Sequence, residues 1–377
     1  MPKRVNNIFK KAITFRKLLE AHNKTKKGKR FKKQVIEFEM DLESNIIQIE
    51  KQLLNGTYKF SKYFEFRIYE PKERIIKTLK YRDRVVQTWY VENFLKPYFA
   101  VSFISDSFAC IEGKGTHKAV DQMQIYLKKA DREYKDVWVL KCDISKFFFN
   151  IDCEILYKII EKKIKDKDFL DFTKNILYSE NETGISIPIG NYTSQFYANI
   201  YMNELDKYVK EVLKIKYIER YMDDFVLILK SKQEAKDILD KITVFLDINL
   251  HLKLNQKTAY FKASQGVNFC GYRIWKTHKL LRNQSKKKIK RKLKNFENLY
   301  KEDRIELDYI LACINSWRGH ASHCNSYNFQ KKLFEEFALK KWRGFTCRIV
   351  SKKVKKFLLT NGLKASIMLD VVANVES

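Results

Sequence analysis

The stretch IERYMDDFVLIL, residues 218–229, contains two short apolar runs that flank two adjacent aspartates. Runs beginning at Ile218 and Phe225 are typical of buried strands, and the tight turn between them holds Asp223 and Asp224. Another buried strand, within VLKCDISKFFFNID (139–152), ends at Asp143. Three carboxylates delivered by hydrophobic strands repel one another, so we expect a cation to hold them together.

Mg²⁺ suits such a site because it is a hard cation held by a few carboxylates and by substrate phosphates. Two such ions a few ångströms apart stabilise the attacking and leaving oxygens of an in-line phosphoryl transfer. An Asp-Asp turn alone is weak support, since aspartate favours turns for its own conformational reasons. The rest of the sequence therefore has to decide between a catalytic and a structural turn.

The length of 377 residues suggests two or three domains, or one domain with a long extension. A composition of 45% apolar and 32% charged residues indicates a globular chain. No apolar run approaches the roughly 18–20 residues that span a bilayer. Residues 1–33 lack the apolar core of a signal peptide. Seven cysteines without a CxxC pair argue against a disulfide framework or a zinc ribbon. We therefore expect a cytoplasmic protein with no membrane partner.

The formal charge of +30 is concentrated at the two ends of the chain. Residues 1–35 carry +12 and residues 273–358 carry +17, so the middle is nearly neutral. This distribution is typical of a protein that clamps a polynucleotide. AT-rich coding, which favours lysine, is the alternative explanation, but it would raise the charge evenly along the chain.

Helix and strand patterns are interleaved without a regular βαβ period, which predicts an α+β fold. Helices are expected at 36–55, 83–99, 115–130, 154–178 (two, broken near Asp166), 193–213, 232–249 and, as basic helices, about 285–345. Strands are expected at 59–79 (with Pro71 in a turn), 137–144, 218–221, 225–229 and 267–275.

The order of these segments resembles the reverse transcriptase family over roughly residues 60–275. The matching segments are YEPKERIIK (69–77), the strand ending at Asp143, PIGNYTSQFYANIY (188–201), the YMDD turn, LKLNQKT (252–258) and VNFCGYRI (267–274). The resemblance implies a right-hand polymerase, in which fingers and palm with an antiparallel sheet precede a basic α-helical thumb. Its domains would be a basic N-terminal arm at 1–35, fingers and palm at 36–275, and a thumb with a C-terminal tail at 276–377.

The resemblance also implies a set of functional residues. The catalytic carboxylates would be Asp143, Asp223 and Asp224. Two Mg²⁺ ions, with Mn²⁺ as an alternative, would be bound by Asp143, Ile144, Asp223 and Asp224. The dNTP site would comprise Lys72, Arg74, Phe148, Ile189, Gly190, Gln195 and Lys257. The primer grip would be Phe269, Cys270, Gly271 and Tyr272, where glycine lets the backbone approach the primer end.

For several of these residues the resemblance implies a functional role, and a purely structural role is the alternative. Phe148 takes the place of the aromatic ring that excludes a ribose 2′-hydroxyl by clash; the alternative is a core aromatic. Lys72 and Arg74 would grip the incoming triphosphate through charge-assisted contacts; the alternative is a solvated strand face. Lys257 resembles the family's lysine near the leaving pyrophosphate; the alternative is a surface lysine at a helix end.

The segment PIGNYTSQ, residues 188–195, departs from most of the family, which carries Gln in place of Ile189 and Ser-Pro in place of Ser194-Gln195. This form resembles the reverse transcriptases of diversity-generating retroelements. Flanking segments agree with that resemblance: RVVQ (84–87), SDSFACIEGKGTHKAVDQ (105–122) and NIYMNELD (199–206). It implies error-prone copying of a template-repeat RNA, chiefly opposite adenines, together with a small basic accessory protein. The alternatives are another bacterial reverse transcriptase, of defence or group II intron type, and a non-catalytic relic, which the intact acid set disfavours.

The basic ends have expected roles in this scheme. KKKIKRKLK (286–294) would contact phosphates of template RNA and cDNA without base specificity through Lys286, Lys287, Lys288, Lys290, Arg291, Lys292 and Lys294. WRGHASHCNSY (317–327) resembles the family's thumb closing segment, with no role assigned. A metal site at His320, His323 and Cys324 would have unusual spacing. Residues 1–33 would bind structured RNA or a protein partner, or form a disordered basic tail.

Overall fold

The computed structural model describes residues 4–69, 73–179, 183–343 and 346–349, with backbone alone from residue 340. Pro71 and Lys72, for which a turn and a dNTP contact are expected, lie outside the described residues. The chain divides into two compact units, one holding residues 1–119 and 129–262 and the other holding 120–128 and 263–377. The expected domain limits at residues 35 and 275 stay predictions.

The N-terminal region of the first unit is helical and buried. Its helices are α1 (Phe9–Ala12), α2 (Phe15–Thr25), α3 (Lys33–Met40) and α4 (Leu42–Leu54). Phe9, Leu18 and Ile46 belong to the main hydrophobic core. A disordered tail is therefore the wrong interpretation for residues 4–33, because apolar side chains spaced along the basic sequence anchor it to the core.

A hairpin and a long helical segment follow. Strands β1 (Phe64–Ile68) and β2 (Arg74–Thr78) pair antiparallel. Helix α5 (Tyr81–Tyr90) continues through a π-helical turn (Val91–Leu95) into α6 (Lys96–Phe99), and α7 (Thr116–Glu133) comes next. These bounds confirm the strands expected within 59–79 and the helices expected at 83–99 and 115–130.

A four-stranded antiparallel sheet forms the centre of the first unit, with strand order β4-β5-β3-β6. Its strands are β3 (Trp138–Asp143), β4 (Tyr217–Tyr221), β5 (Asp224–Leu229) and β6 (Ala259–Lys262). The helices of this region are α8 (Cys153–Glu161), α9 (Lys167–Leu177), α10 (Tyr192–Lys207) and α11 (Lys232–Leu250). The apolar run of β5 is buried from Phe225 to Leu229, as a central strand requires.

The second unit combines a small sheet with helices. Its three-stranded antiparallel sheet contains β7 (Val267–Phe269), β8 (Tyr272–Ile274) and β9 (Lys279–Leu281). Its helices are α12 (Asn283–Lys301), α13 (Leu307–Ala321) and α14 (Tyr327–Glu335), and a hairpin of β10 (Lys340–Arg343) and β11 (Thr346–Ile349) follows. The core of the helices contains Ile289, Leu293, Phe296, Ile310 and Ile314.

Two expectations for this unit are wrong in detail. The strand expected at 267–275 is broken by a turn, in which Cys270 and Gly271 both have positive φ. Basic helices were expected to about residue 345, but α14 ends at Glu335 and strands follow. Helix propensity of the lysine-rich sequence did not decide the conformation there. The α+β fold with antiparallel sheets is confirmed, and no helix of the described residues is long and apolar enough to cross a membrane.

Asp166 joins the N-terminal region to the rest of the first unit. Its carboxylate accepts the N–H of Phe169 at 3.2 Å, which caps α9, and the N–H groups of Ile8 and Phe9 at 2.6 and 3.0 Å. The helix break expected near this residue is thus confirmed. One buried side chain satisfies the first turns of two helices that are far apart in sequence.

We expect Asp166→Ala to lower the free energy of unfolding by about 2–4 kcal/mol, because a cap is lost and buried N–H groups lose their acceptor. The matched control is Asp152→Ala, which removes the cap of α8 from the more exposed N–H groups of Glu154 and Ile155. Its expected cost is about 1 kcal/mol. Urea unfolding of both variants measures the difference, and equal losses would contradict the bridging role of Asp166.

Candidate active site

The three predicted carboxylates meet at one end of the four-stranded sheet. Asp143 ends β3 and lies opposite Asp224, the first residue of β5, in the antiparallel register. Asp223 lies in the turn between β4 and β5, and Met222 before it has φ of 58°, a left-handed conformation. The pairing of β3 with β5 fixes the positions of Asp143 and Asp224, and Asp223 directly precedes Asp224. The three predicted acids therefore come together without a contribution from a loop of variable length.

The electrostatics of this end show that the carboxylates lie close together. The pKa of Asp223 is raised to about 6, chiefly by burial and to a smaller extent by the charges of Asp143 and Asp224. Arg74 acts in the opposite direction on the same group. The charge of Arg74 thus acts on one of these acids, and its role in binding a nucleotide stays a prediction.

Lys141 is a member of this site that the sequence reasoning missed. It lies two residues before Asp143 on the same face of β3, and its ammonium group forms a salt bridge with the carboxylate of Asp224. Among the residues that the structure describes, no group of three or more metal-ligating side chains is assembled. The assignment of Asp143, Asp223 and Asp224 as metal ligands therefore stays a prediction. The sequence did offer a signal for the role of Lys141, because it is a lysine within an otherwise apolar strand.

The donors near Asp143 fit a hard divalent cation. Asp143 and Asp223 supply carboxylate oxygens. The bridge between Ile144 and Leu254 uses the carbonyl of Asp143 and the N–H of Ser145, which bind Asn255 and Lys253 at 2.7 and 2.9 Å. Ile144 and Leu254 thus form a non-hydrogen-bonded antiparallel pair, in which the carbonyl of Ile144 points away from Leu254. An all-oxygen set of this kind is what Mg²⁺ prefers.

A buried arginine stabilises the turn that contains Asp223. Arg220 of β4 is fully buried, and its guanidinium binds both oxygens of Asp206 on α10 at 2.7–3.0 Å. A further nitrogen of the same group donates to the side-chain oxygen of Asn199 and to the carbonyl of Met222, both at 3.0 Å. The left-handed residue of the turn is thus fixed to a helix, a contact that sequence reasoning did not predict.

The segment after Ser105 lies along the outer edge of β4. The N–H of Arg220 binds the carbonyl of Asp106 at 2.9 Å, and the N–H of Phe108 binds the carbonyl of Arg220 at 3.0 Å. The amide of Asn199 donates to the carbonyl of Ala109 at 2.8 Å. Two segments quoted for the retroelement resemblance, 105–122 and 199–206, therefore meet around Arg220.

The predicted steric gate lies beside the predicted nucleotide segment. Phe148 is partly buried in a 3₁₀ turn, packed edge-on against Phe147 with ring centroids 5.5 Å apart. Its carbonyl accepts the N–H of Ile187 at 2.9 Å. Phe149 is 51% exposed. Phe148 is therefore held next to the segment that contains Ile189, and its role in selecting the sugar stays a prediction.

Ile189 and Gly190 pack against the hairpin of β1 and β2. The N–H of Lys77 in β2 binds the carbonyl of Ile189 at 2.9 Å. Gly190 has φ of 122°, and a Cβ there would lie 2.7 Å from the carbonyl oxygen of Lys77. A glycine is therefore required for this close approach. Gln195, also predicted for the site, is exposed in the first turn of α10, and its side-chain oxygen lies 3.5 Å from the thiol of Cys110.

Lys257 is exposed in the turn before β6. Its N–H binds the side chain of Asn255 at 3.1 Å, and Asn255 in turn binds the carbonyl of Asp143. The turn therefore lies beside the end of β3. A contact between the Lys257 ammonium and a pyrophosphate stays a prediction.

The predicted primer grip is a tight turn of the second unit, described here by itself. A Cβ on Gly271 would lie 3.2 Å from the ring of His320 in α13. The hydroxyl of Tyr272 lies 2.8 Å from Nδ1 and 2.7 Å from the carbonyl oxygen of His320. His320 therefore supports this turn, and the described residues place no metal-ligating cluster at 313–324.

The predicted phosphate-binding run lies on α12. Ile289 and Leu293 of that helix are buried in the core, whereas the cations occupy the other positions. The exposed members are Lys287, Lys290, Arg291, Lys292 and Lys294, and the partly exposed ones are Lys286 and Lys288. The helix thus presents a cationic face, and its contact with nucleic acid stays a prediction.

Comparison with known proteins gives several distant relatives. Protein YkfC of Escherichia coli (strain K12) is 24% identical over 60% of this chain and 70% of its own length. The group II intron-encoded protein LtrA of Lactococcus lactis subsp. cremoris is 24% identical over 62% of this chain and 50% of its own length. A putative COX1/OXI3 intron 2 protein of Saccharomyces cerevisiae is 25% identical, and the match spans 24% of that protein. The chain thus spans half or less of the length of two of these three relatives.

Among solved structures, apo telomerase from Candida tropicalis, truncated from its C-terminal domain, aligns with 62% of this chain and 59% of its own at a TM-score of 0.47 and 12% identity. The family model described as reverse transcriptase (RNA-dependent DNA polymerase) matches residues 69–274, which is more than half of the chain and includes all three aspartates. The chain therefore belongs to the reverse transcriptase family.

Proposed function

We propose that this chain is an RNA-directed DNA polymerase that adds dNTPs to a primer on an RNA template. The observation that carries the proposal is the placement of Asp143 and Asp223 at one end of the sheet, with the turn of Asp223 held by Arg220. The position of Arg74 near these acids supports it. The family match over residues 69–274 gives the reaction class.

In this proposal Asp143 and Asp223 would hold two Mg²⁺ ions, with the carbonyl of Ile144 as a further ligand. Such ions would supply positive charge to the attacking 3′-oxygen and to the leaving pyrophosphate. Arg74 contacts the triphosphate, and the ring of Phe148 lies under the sugar. Lys141 neutralises Asp224, which reduces the repulsion among the three carboxylates.

The finer proposal is that the enzyme belongs to a diversity-generating retroelement and makes adenine-mutagenic cDNA from a template-repeat RNA, with a small basic accessory protein. It is supported by Ile189, Ser194 and Gln195 in the segment that packs on the fingers hairpin. Ile189 offers no side-chain hydrogen bond to an incoming nucleotide, whereas Gln would. The second candidate is a group II intron-like reverse transcriptase, which the similarity to LtrA favours.

We expect Asp223→Asn to lower primer extension on an RNA template at least about 100-fold, because the change removes a charge needed to bind the ions. The matched control is Asp240→Asn, which makes the same change at an exposed position of α11. Primer extension with purified chain, dNTPs and Mg²⁺ measures both. Wild-type activity in Asp223→Asn would rule out the proposed reaction.

Replacing Phe148 by Ala should let the enzyme accept ribonucleotides, because the clash with the 2′-hydroxyl is lost. We expect discrimination between dNTP and rNTP to fall at least about tenfold. Phe149→Ala, one residue away and 51% exposed, serves as the control and should leave the ratio unchanged. The ratio of kcat/KM for dCTP and CTP is the measurement, and an equal change in both variants would refute the gate.

The effect of Ile189 on accuracy is tested with Ile189→Gln. The added amide can reward correct geometry, so errors opposite template adenines should fall about tenfold, the equivalent of about 1.4 kcal/mol. Sequencing of cDNA from wild type and variant on one RNA template gives the error at each base. An error frequency at adenines that is the same in wild type and variant would show that Ile189 does not cause the infidelity. A wild-type enzyme that copies adenines accurately would favour the group II intron-like candidate.

A further inference from the structure

The position of Lys141 in β3 brings its ammonium group to one of the three carboxylates. Lys141 and Asp143 are two residues apart, so their side chains leave the same face of the strand. In the register with β5, Lys141 lies opposite Val226 and Asp143 lies opposite Asp224. Asp224 is therefore the diagonal neighbour of Lys141, at a separation that a long side chain can span. The salt bridge between them joins the two strands at the acidic end of the sheet.

The surroundings of this salt bridge strengthen its effect on the neighbouring acids. The residues directly opposite Lys141 are Val226 on β5 and Ala259 on β6, which carry no charge. The side chain of Lys141 is 23% exposed and that of Asp224 is 33% exposed. Charges that are shielded from water act on one another more strongly than charges on an open surface. The pair therefore contributes to the electric field in which the other carboxylates lie.

The net charge of this end of the sheet depends on Lys141. The carboxylates of Asp143, Asp223 and Asp224 supply three negative charges when they are ionised, and the ammonium group of Lys141 leaves a net of two. A divalent cation is attracted by the net charge of its surroundings as well as by the oxygens that it contacts. A lysine at this position therefore lowers the affinity for Mg²⁺ or Mn²⁺ without contacting either ion.

We propose that Lys141 is a positioning residue that acts through Asp224. Its salt bridge withholds the Asp224 carboxylate from direct coordination and sets the net charge to which divalent cations bind. The proposal rests on the proposed function, in which Asp143 and Asp223 are the ligands. It follows that the charges of Lys141 and Asp224 can be removed together without a loss of cation affinity.

The test is the binding of Mn²⁺ to the full chain without nucleotide, measured by electron paramagnetic resonance. Asp143→Asn identifies the part of the binding that belongs to this site. Lys141→Met keeps a long side chain and loses the charge, so it should bind Mn²⁺ about tenfold more tightly than wild type. Asp224→Asn should bind about tenfold more weakly, because the charge of Lys141 is then uncompensated.

The double variant decides between a charge effect and direct coordination by Asp224. Lys141→Met combined with Asp224→Asn has the same net charge as wild type, so its Kd for Mn²⁺ should lie within about twofold of the wild-type value. A double variant that binds at least about fivefold more weakly would show that Asp224 is itself a ligand, and would overturn the proposal. Equal affinity of Lys141→Met and wild type would also overturn it.

Three further variants separate the charge of Lys141 from folding and from the total charge of the chain. Lys141→Arg keeps a cation beside Asp224 and should retain the wild-type affinity. Lys141→Gln tests the same loss of charge with a polar side chain if Lys141→Met does not fold. Lys262→Met removes a cation that pairs with Asp136 at 3.4 Å, at the other end of β3, and should leave Mn²⁺ binding unchanged. Tighter binding by Lys262→Met, equal to that of Lys141→Met, would contradict a local role.

Primer extension by the same proteins separates this proposal from the proposed function. A wild-type chain that extends no primer, while Mn²⁺ affinity in the variants follows the predicted charge pattern, would reject the polymerase and keep the role of Lys141. Normal extension by wild type, together with equal Mn²⁺ affinity in wild type and Lys141→Met, would reject the role of Lys141 and keep the polymerase.

Discussion

The hydrogen bonds of the buried Arg220 guanidinium are the interaction on which the candidate site depends. A charged group without exposure to water is costly unless it is paired and its donors are satisfied. Here Asp206 neutralises the charge, and Asn199 and the carbonyl of Met222 accept from a further nitrogen. Since Asp206 belongs to α10 and Met222 to the turn, one side chain ties a core helix to the residue that precedes Asp223. The left-handed conformation of the turn is thereby held in place.

Two other constraints arrange the groups around this turn. The antiparallel register places Asp143 opposite Asp224, and Lys141 on the strand of Asp143 forms a salt bridge with Asp224. The proposed cation ligands are the other two carboxylates, Asp143 and Asp223. The close approach of Gly190 to β2 fixes the hairpin that carries Arg74 against the segment containing Ile189. Sheet register and the salt bridges therefore arrange the acids, and a glycine contact arranges the hairpin.

The parts that the sequence predicted are those set by local pattern. The apolar strands around Asp143 and Asp223, and the helix break at Asp166, follow from periodicity and capping, which act over a few residues. The roles of Arg220 and Lys141 were not predicted, because they depend on partners in other helices, strands and turns. The break of 267–275 depends on positive φ at Cys270, which is rare outside glycine, and the extra helix expected after Glu335 reflects lysine propensity that tertiary context overrode. A disordered tail was among the predictions for the N-terminal region, because its high charge was given more weight than the spacing of Phe9 and Leu18.

The most direct test is the single-turnover rate of nucleotide addition by Arg220→Lys, measured beside Asn199→Ala. Lysine keeps the charge next to Asp206 but cannot also reach the carbonyl of Met222, whereas Asn199→Ala removes a different partner of the same guanidinium and leaves the turn contact. We expect Arg220→Lys to slow addition at least about tenfold with the dNTP Kd little changed, and Asn199→Ala to retain most of the rate at a similar loss of thermal stability. A folded Arg220→Lys variant with the wild-type rate would contradict the claim that Arg220 positions the turn for catalysis.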